Sequence, residues 1–170
     1  MKKRLLLLIS TVILSGCGKN KPIPASRLEQ PNADFSFLTP EGWFRNKVLG
    51  VDFIIVYAKA DYGIEPNIFV DFINQSPDLD TAMSKLATLY KESRDFEIIE
   101  RSRFETKTGL HGIKIYSHRK TKKQLPLASY HYLIVGTNRV VSITGTCADA
   151  VGKKYEPIFD QTMSTLEMEK

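Results

Sequence analysis

Two stretches of this chain are apolar on both sides of an extended strand, so a sheet that contains them can leave neither face to water. Phe53-Ile54-Ile55-Val56-Tyr57-Ala58 runs without alternation, which suits a strand covered on both faces and placed centrally in a sheet. In Ile68 to Ile73, period two puts Ile68, Val70 and Phe72 on one face and Phe69 and Ile73, with Asp71, on the other. The cover must come from elsewhere in the chain, and two amphipathic segments supply it. Ser76-Pro77-Asp78 reads as a helix start, with a serine cap, proline at the first helical position and an acid where the helix dipole favours one. Leu79, Met83, Leu86 and Tyr90 then recur at helical spacing, fading near Arg94-Asp95. A closing helix, capped by Asp149, carries the stripe Tyr155, Ile158, Phe159, Thr162 and Leu166, and Pro157 inside it should kink it or delay its start.

The remaining segments are strands and turns. Asp34 to Leu38 alternates, Thr39-Pro40-Glu41-Gly42 turns, and Trp43-Phe44 opens the next strand. Phe96 to Phe104 is a strand, Leu110 to Arg119 pairs with Leu125 to Gly136 as a long hairpin, and Val140 to Thr146 is the last strand. Consecutive strands with few crossover lengths imply a mostly antiparallel sheet. The fold expected over residues 34–170 is therefore a single α+β domain, that sheet with helices packed on both faces.

The N-terminus sets the compartment. Lys2, Lys3 and Arg4 precede an apolar run from Leu5 to Leu14, shorter than the roughly 20 residues that span a bilayer, and this order reads as a secretory signal peptide over residues 1–16. Leu14-Ser15-Gly16-Cys17 resembles the lipobox of bacterial lipoproteins. That resemblance implies cleavage before Cys17, a diacylglyceryl group on its sulfur and an acylated amino group, and several acyl chains suffice for stable anchoring. Residues 17–33, with Pro22, Pro24 and Pro31 and no hydrophobic period, read as a tether. Gly18 and Lys19 lack an acidic retention residue, which by the same resemblance implies the outer membrane, facing the periplasm. Loss of the leader takes the 24 cations to 21 against 19 acids, a net charge of +2, and removes the reason to expect a nucleic acid partner. Cys147 then has no intrachain partner and reads as a buried, inert thiol.

The order FSFLTPEGW (Phe35 to Trp43), a two-sided apolar strand, a helix, a hairpin, VVSITGTC (Val140 to Cys147) and a closing helix resembles the PsbP-like fold, a group that includes DcrB-like envelope lipoproteins. The resemblance implies an α/β/α sandwich and an assembly-factor or adaptor role. It brings no site residue with it.

Direct signs of catalysis are few. Turning the hairpin about Lys122-Lys123 sets His118 near Leu127, His131 near Lys114 and His111 near Ile134, so the histidines do not converge on a metal. Thr144-Gly145-Thr146 looks in part like a nucleophile turn, although a strand end accounts for it better. There is no phosphate-cradling glycine loop, Cys-x-x-Cys or Gly-x-Ser-x-Gly, and neither a metal nor an organic cofactor is expected. The one concentrated charge is Arg119, Lys120, Lys122 and Lys123 at the hairpin tip, read as a solvated loop or, more sharply, as a contact for anionic headgroups or an acidic partner. The expected function is a lipid-anchored, non-enzymatic envelope protein that binds another protein. A lipoprotein holding a small apolar ligand, and an enzyme with dispersed catalytic groups, stand as alternatives.

Overall fold

The computed structural model describes residues 26–30, 34–47, 54–92, 96–119 and 125–168. The elements in chain order are β1 (Arg27–Glu29), β2 (Phe35–Leu38), β3 (Phe44–Lys47), β4 (Ile54–Tyr57), β5 (Asn67–Asn74), α1 (Leu79–Glu92), β6 (Phe96–Glu105), β7 (His111–Arg119), β8 (Leu127–Val135), β9 (Val140–Ala148), α2 (Gly152–Ser164) and β10 (Glu167–Met168). Seven strands in the order β3-β4-β5-β9-β8-β7-β6 make one antiparallel sheet, and β1, β2 and β10 make a second. The helices lie on opposite faces of the large sheet. Val141, Ile143, Ile68, Val70, Tyr130 and Tyr132 pack towards Tyr155, Phe159 and Met163 of α2, whereas Phe72, Ile115, Leu133 and Val140 pack towards Ala82 and Leu86 of α1. Gly145 is what lets α2 settle so closely: a Cβ there would lie 2.5 Å from the Phe159 ring. Trp43 meets the same ring edge-on at 6.2 Å.

Several expectations need correcting. The two-sided run at Ile54–Tyr57 is not central; β4 is next to the edge strand β3 and, apart from Val56, is only half-buried, because the core is built around β5, β9 and β8. A β-bulge between Val70 and Phe72 breaks the parity of β5, so Phe72 joins the α1 side and Ile73 the α2 side, the reverse of simple alternation. The hairpin register is shifted by one: His118 pairs with Ala128 and His131 with Ile115. Asp78, rather than Ser76, caps α1, with Oδ1 accepting from the Asp80 amide at 3.0 Å and Oδ2 from the Thr81 hydroxyl, so the helix begins two residues later than Pro77 implies. Asp149 opens a 3-10 turn and gives α2 no side-chain cap. Pro157 lies inside α2, whose start at Gly152 it does not delay.

The tether assignment over residues 17–33 also fails at its C-terminal end. β1 pairs with β2, Leu28 is buried in the α2-side core, and the Gln30 side chain bonds both backbone groups of Ile54, donating to its carbonyl at 3.0 Å and accepting from its amide at 2.8 Å. A three-residue strand carries too little pattern for periodicity to reveal. The leader, Cys17 and most of the tether lie outside the described residues.

Candidate functional site

Beneath α1 the α1 side of the large sheet is apolar. Beyond that cluster its central strands carry Ser142, Thr144 and Thr146 on β9, Ser129 and His131 on β8, and Ser117 on β7, all buried. Each buried polar atom left without a partner would cost about 1–3 kcal/mol, so these groups need one another. Three of them, together with Asp71 of β5, form a continuous row across four adjacent strands. Ser117 Oγ lies 3.0 Å from His131 Nε2, His131 Nδ1 lies 2.6 Å from Thr144 Oγ1, and Thr144 Oγ1 donates to Asp71 Oδ2 at 2.6 Å. Ser142 donates to the same carboxylate oxygen at 3.0 Å. The β5 bulge helps to build the end of the row, because Asp71 and Phe72 both come to the α1 side there.

The proton positions follow from counting. Thr144 has one hydroxyl proton and gives it to Asp71, so it accepts from His131 through an Nδ1–H, and the bare Nε2 accepts from Ser117. Burial pushes Asp71 up to about 6, opposed by the Thr144 and Ser142 hydrogen bonds. Burial alone takes His131 down to about 3, so its ring is neutral at physiological pH. The order hydroxyl, imidazole, carboxylate is that of a nucleophilic triad with a threonine inserted before the acid. Ser117 has no solvent exposure, however, and a nucleophile must be reached before it can react.

The opposite face carries a second polar set along α2. Lys114 Nζ is paired with Glu156 at 2.6 Å and Asp160 at 2.8 Å, and the Tyr132 hydroxyl donates to Asp160 at 2.7 Å. Burial, followed by the Asp160 charge, raises the Tyr132 phenol well above its ordinary range. Tyr116 stacks on Tyr130 at 4.8 Å, and His118 Nε2 meets the Tyr116 hydroxyl and Asp149 Oδ1, the latter at 3.1 Å. These contacts bind the β7–β8 hairpin to α2. A groove of about 460 Å³ lies between α1 and β6, lined by Leu79, Met83 and Ile113 with Asp80, Arg101, Ser102 and Arg103.

The site residues read from sequence fare unevenly. Arg119 is not part of an exposed tip: it is 8% exposed, with its guanidinium 5.9 Å from the Phe96 ring, because strand alternation turns it inward. Lys120, Lys122, Lys123 and Cys17 lie outside the described residues. Cys147 is buried in the α2-side core, and burial pushes its thiol up to about 12. The histidines go to three places, His118 on the α2 side, His131 in the row and His111 exposed beside Glu105. Among the described residues no group of three His, Cys, Asp or Glu side chains could hold a metal ion. Thr144 is not at a strand end; it lies within β9 and has the partners that sequence could not place. Period-two polar positions on β8 and β9 were a signal for the row, but the adjacency of β5 to β9, which supplies Asp71, was not.

The architecture is a PsbP-like fold. Cyanobacterial PsbP (CyanoP) from Synechocystis sp. PCC 6803 matches with a TM-score of 0.60 at 15% identity, over 92% of this chain and 99% of that one. PA94 of Pseudomonas aeruginosa, a protein of unknown function, matches with a TM-score of 0.53 at 16% identity, over 75% and 98%. A structure from Bacteroides thetaiotaomicron VPI-5482 gives 0.56 at 15% identity, over 87% of this chain and 50% of its own. At these identities the likeness is one of fold alone. No family model and no curated protein matches the chain.

Proposed function

We propose that this chain is a lipoprotein of the bacterial cell envelope, anchored through Cys17 and facing the periplasm, most simply from the outer membrane, and that it acts by binding another envelope protein rather than by catalysis. The observation that carries the anchor is the run Met1 to Cys17, three cations, a short apolar core and Leu-Ser-Gly-Cys. The non-catalytic reading of this row is supported by its chemistry: Ser117, His131, Thr144 and Asp71 are hydrogen-bonded to one another, and Ser117 is closed to solvent. Labelled fatty acid fed to cells should enter the wild-type chain and not Cys17→Ala; incorporation into the mutant would defeat the lipid assignment. Crosslinking in intact cells, followed by affinity capture of the anchored chain, should return one stoichiometric envelope partner, and turnover of a substrate by the purified protein would defeat the non-catalytic reading.

A small-ligand role is the second reading, favoured by the groove in which Leu79, Met83 and Ile113 sit beside Arg101 and Arg103. Native mass spectrometry of protein purified from its host would then show a retained mass that Met83→Glu loses.

A further inference from the structure

The row from Asp71 to Ser117 has a property that a merely satisfied set of buried groups need not have, which is that every link can run in either direction. Thr144 and Ser117 carry hydroxyls that both donate and accept, and the neutral imidazole of His131 offers one donor and one acceptor that exchange between its tautomers. The direction is set at one end. An ionised Asp71 only accepts, which forces Thr144 to donate to it, Nδ1–H to donate to Thr144, and Ser117 to donate to Nε2. A protonated Asp71 becomes a donor, and the opposite order then satisfies the same distances: carboxyl O–H to Thr144, Thr144 O–H to Nδ1, and Nε2–H to Ser117.

We infer that the ionisation of Asp71 in β5 is transmitted across β9 and β8 to β7 as a change of His131 tautomer. The balance is one proton: it arrives on Asp71 Oδ2, the hydroxyl protons turn to their other neighbour, and the imidazole moves its single proton from Nδ1 to Nε2 without becoming cationic. Distances of 2.6, 2.6 and 3.0 Å along the row leave each link short enough for this in either sense. Among the described residues, the charged side chains carried on the same side of the sheet include Arg119 on β7, over the Phe96 ring, Lys85 on α1, over the Phe72 ring, Arg101 and Arg103 on β6 at the groove, and Glu105 of β6 beside His111 of β7; Asp78 and Asp80 start α1. The carboxylate of Asp71 accepts from the Ser142 and Thr144 hydroxyls. Asp71 is half-buried, and desolvation raises its carboxyl from 3.8 to about 6, which places the change inside the mildly acidic range.

Nitrogen-15 spectra of the full chain in detergent micelles, labelled at histidine, test this directly. Between about pH 7 and pH 5 the His131 ring nitrogens should exchange their protonated and bare signatures while the ring stays neutral, in step with the Asp71 carboxyl carbon. Thr144→Ser keeps the hydroxyl and should keep the coupling. Thr144→Val breaks the row, so Asp71 should still titrate while the His131 tautomer no longer follows it. A wild-type His131 with one tautomer throughout, or one that becomes cationic as Asp71 titrates, overturns the inference even if the valine variant fails to fold.

Discussion

Asp71 and His131 titrate in opposite senses, and their effects on stability are opposite too. Burial raises Asp71 from 3.8 to about 6, so the folded state holds its proton more tightly than the unfolded chain; that contribution favours folding below about pH 4 and is lost as pH rises through 6. Burial lowers His131 from 6.5 to about 3, so the folded state refuses a proton that the unfolded chain accepts, and stability is lost as pH falls from 6.5 towards 3. The two slopes offset each other between about pH 4 and 6. Asp71→Asn isolates the first of them: measured by urea unfolding, its stability relative to wild type should rise with pH across that interval, by at most ~1.4 kcal/mol per unit, and then level off. A pH-independent difference would show that the carboxyl is not held protonated by burial. Gly145 is a second residue-scale constraint. Gly145→Ala sets a methyl against Phe159, and overpacking of this kind costs typically 1–3 kcal/mol, visible as a lower unfolding midpoint without loss of the sheet's circular dichroism.

Among the elements, β1 tests how far the domain extends towards the anchor. Leu28 is buried and Gln30 holds Ile54 from both sides, so β1 contributes to the core although it is only three residues long. Deleting residues 18–25 should leave the unfolding midpoint nearly unchanged, while extending the deletion through Gln30 should lower stability by several kcal/mol, given that truncating one buried leucine alone costs about 2–5 kcal/mol. Equal midpoints for the two deletions would return β1 to the tether. β6 is the opposite case, a ten-residue edge strand exposed along most of its length. Its charges and the bulge between Ile98 and Glu100 blunt an edge that would otherwise template aggregation.

For the whole molecule, the basic hairpin tip remains the most economical test of surface function. Reversing Lys120, Lys122 and Lys123 to Glu should leave stability within about 0.5 kcal/mol and leave binding to anionic vesicles unchanged, as expected of solvated charges. Salt-sensitive binding that the well-folded triple variant loses would make the tip a docking site for anionic headgroups and join it to the proposed membrane role.

What the sequence determined by itself was whatever is written in local periodicity. Two helices, the long hairpin and a mostly antiparallel sheet covered on both faces were legible, because three-to-four and two-residue spacings survive any arrangement of neighbours. The tertiary structure decided what depends on which strands lie side by side. The β5 bulge reversed the faces of Phe72 and Ile73, the hairpin slipped by one residue, Ser26 to Gln30 joined the fold, and β10 closed the small sheet. Above all, Asp71 and Ser117 are 46 residues apart in the chain, and nothing local ties them together. Only the strand order β5-β9-β8-β7 sets the carboxylate, threonine, histidine and serine in one row, where burial then gives their hydrogen bonds a single direction at a given pH.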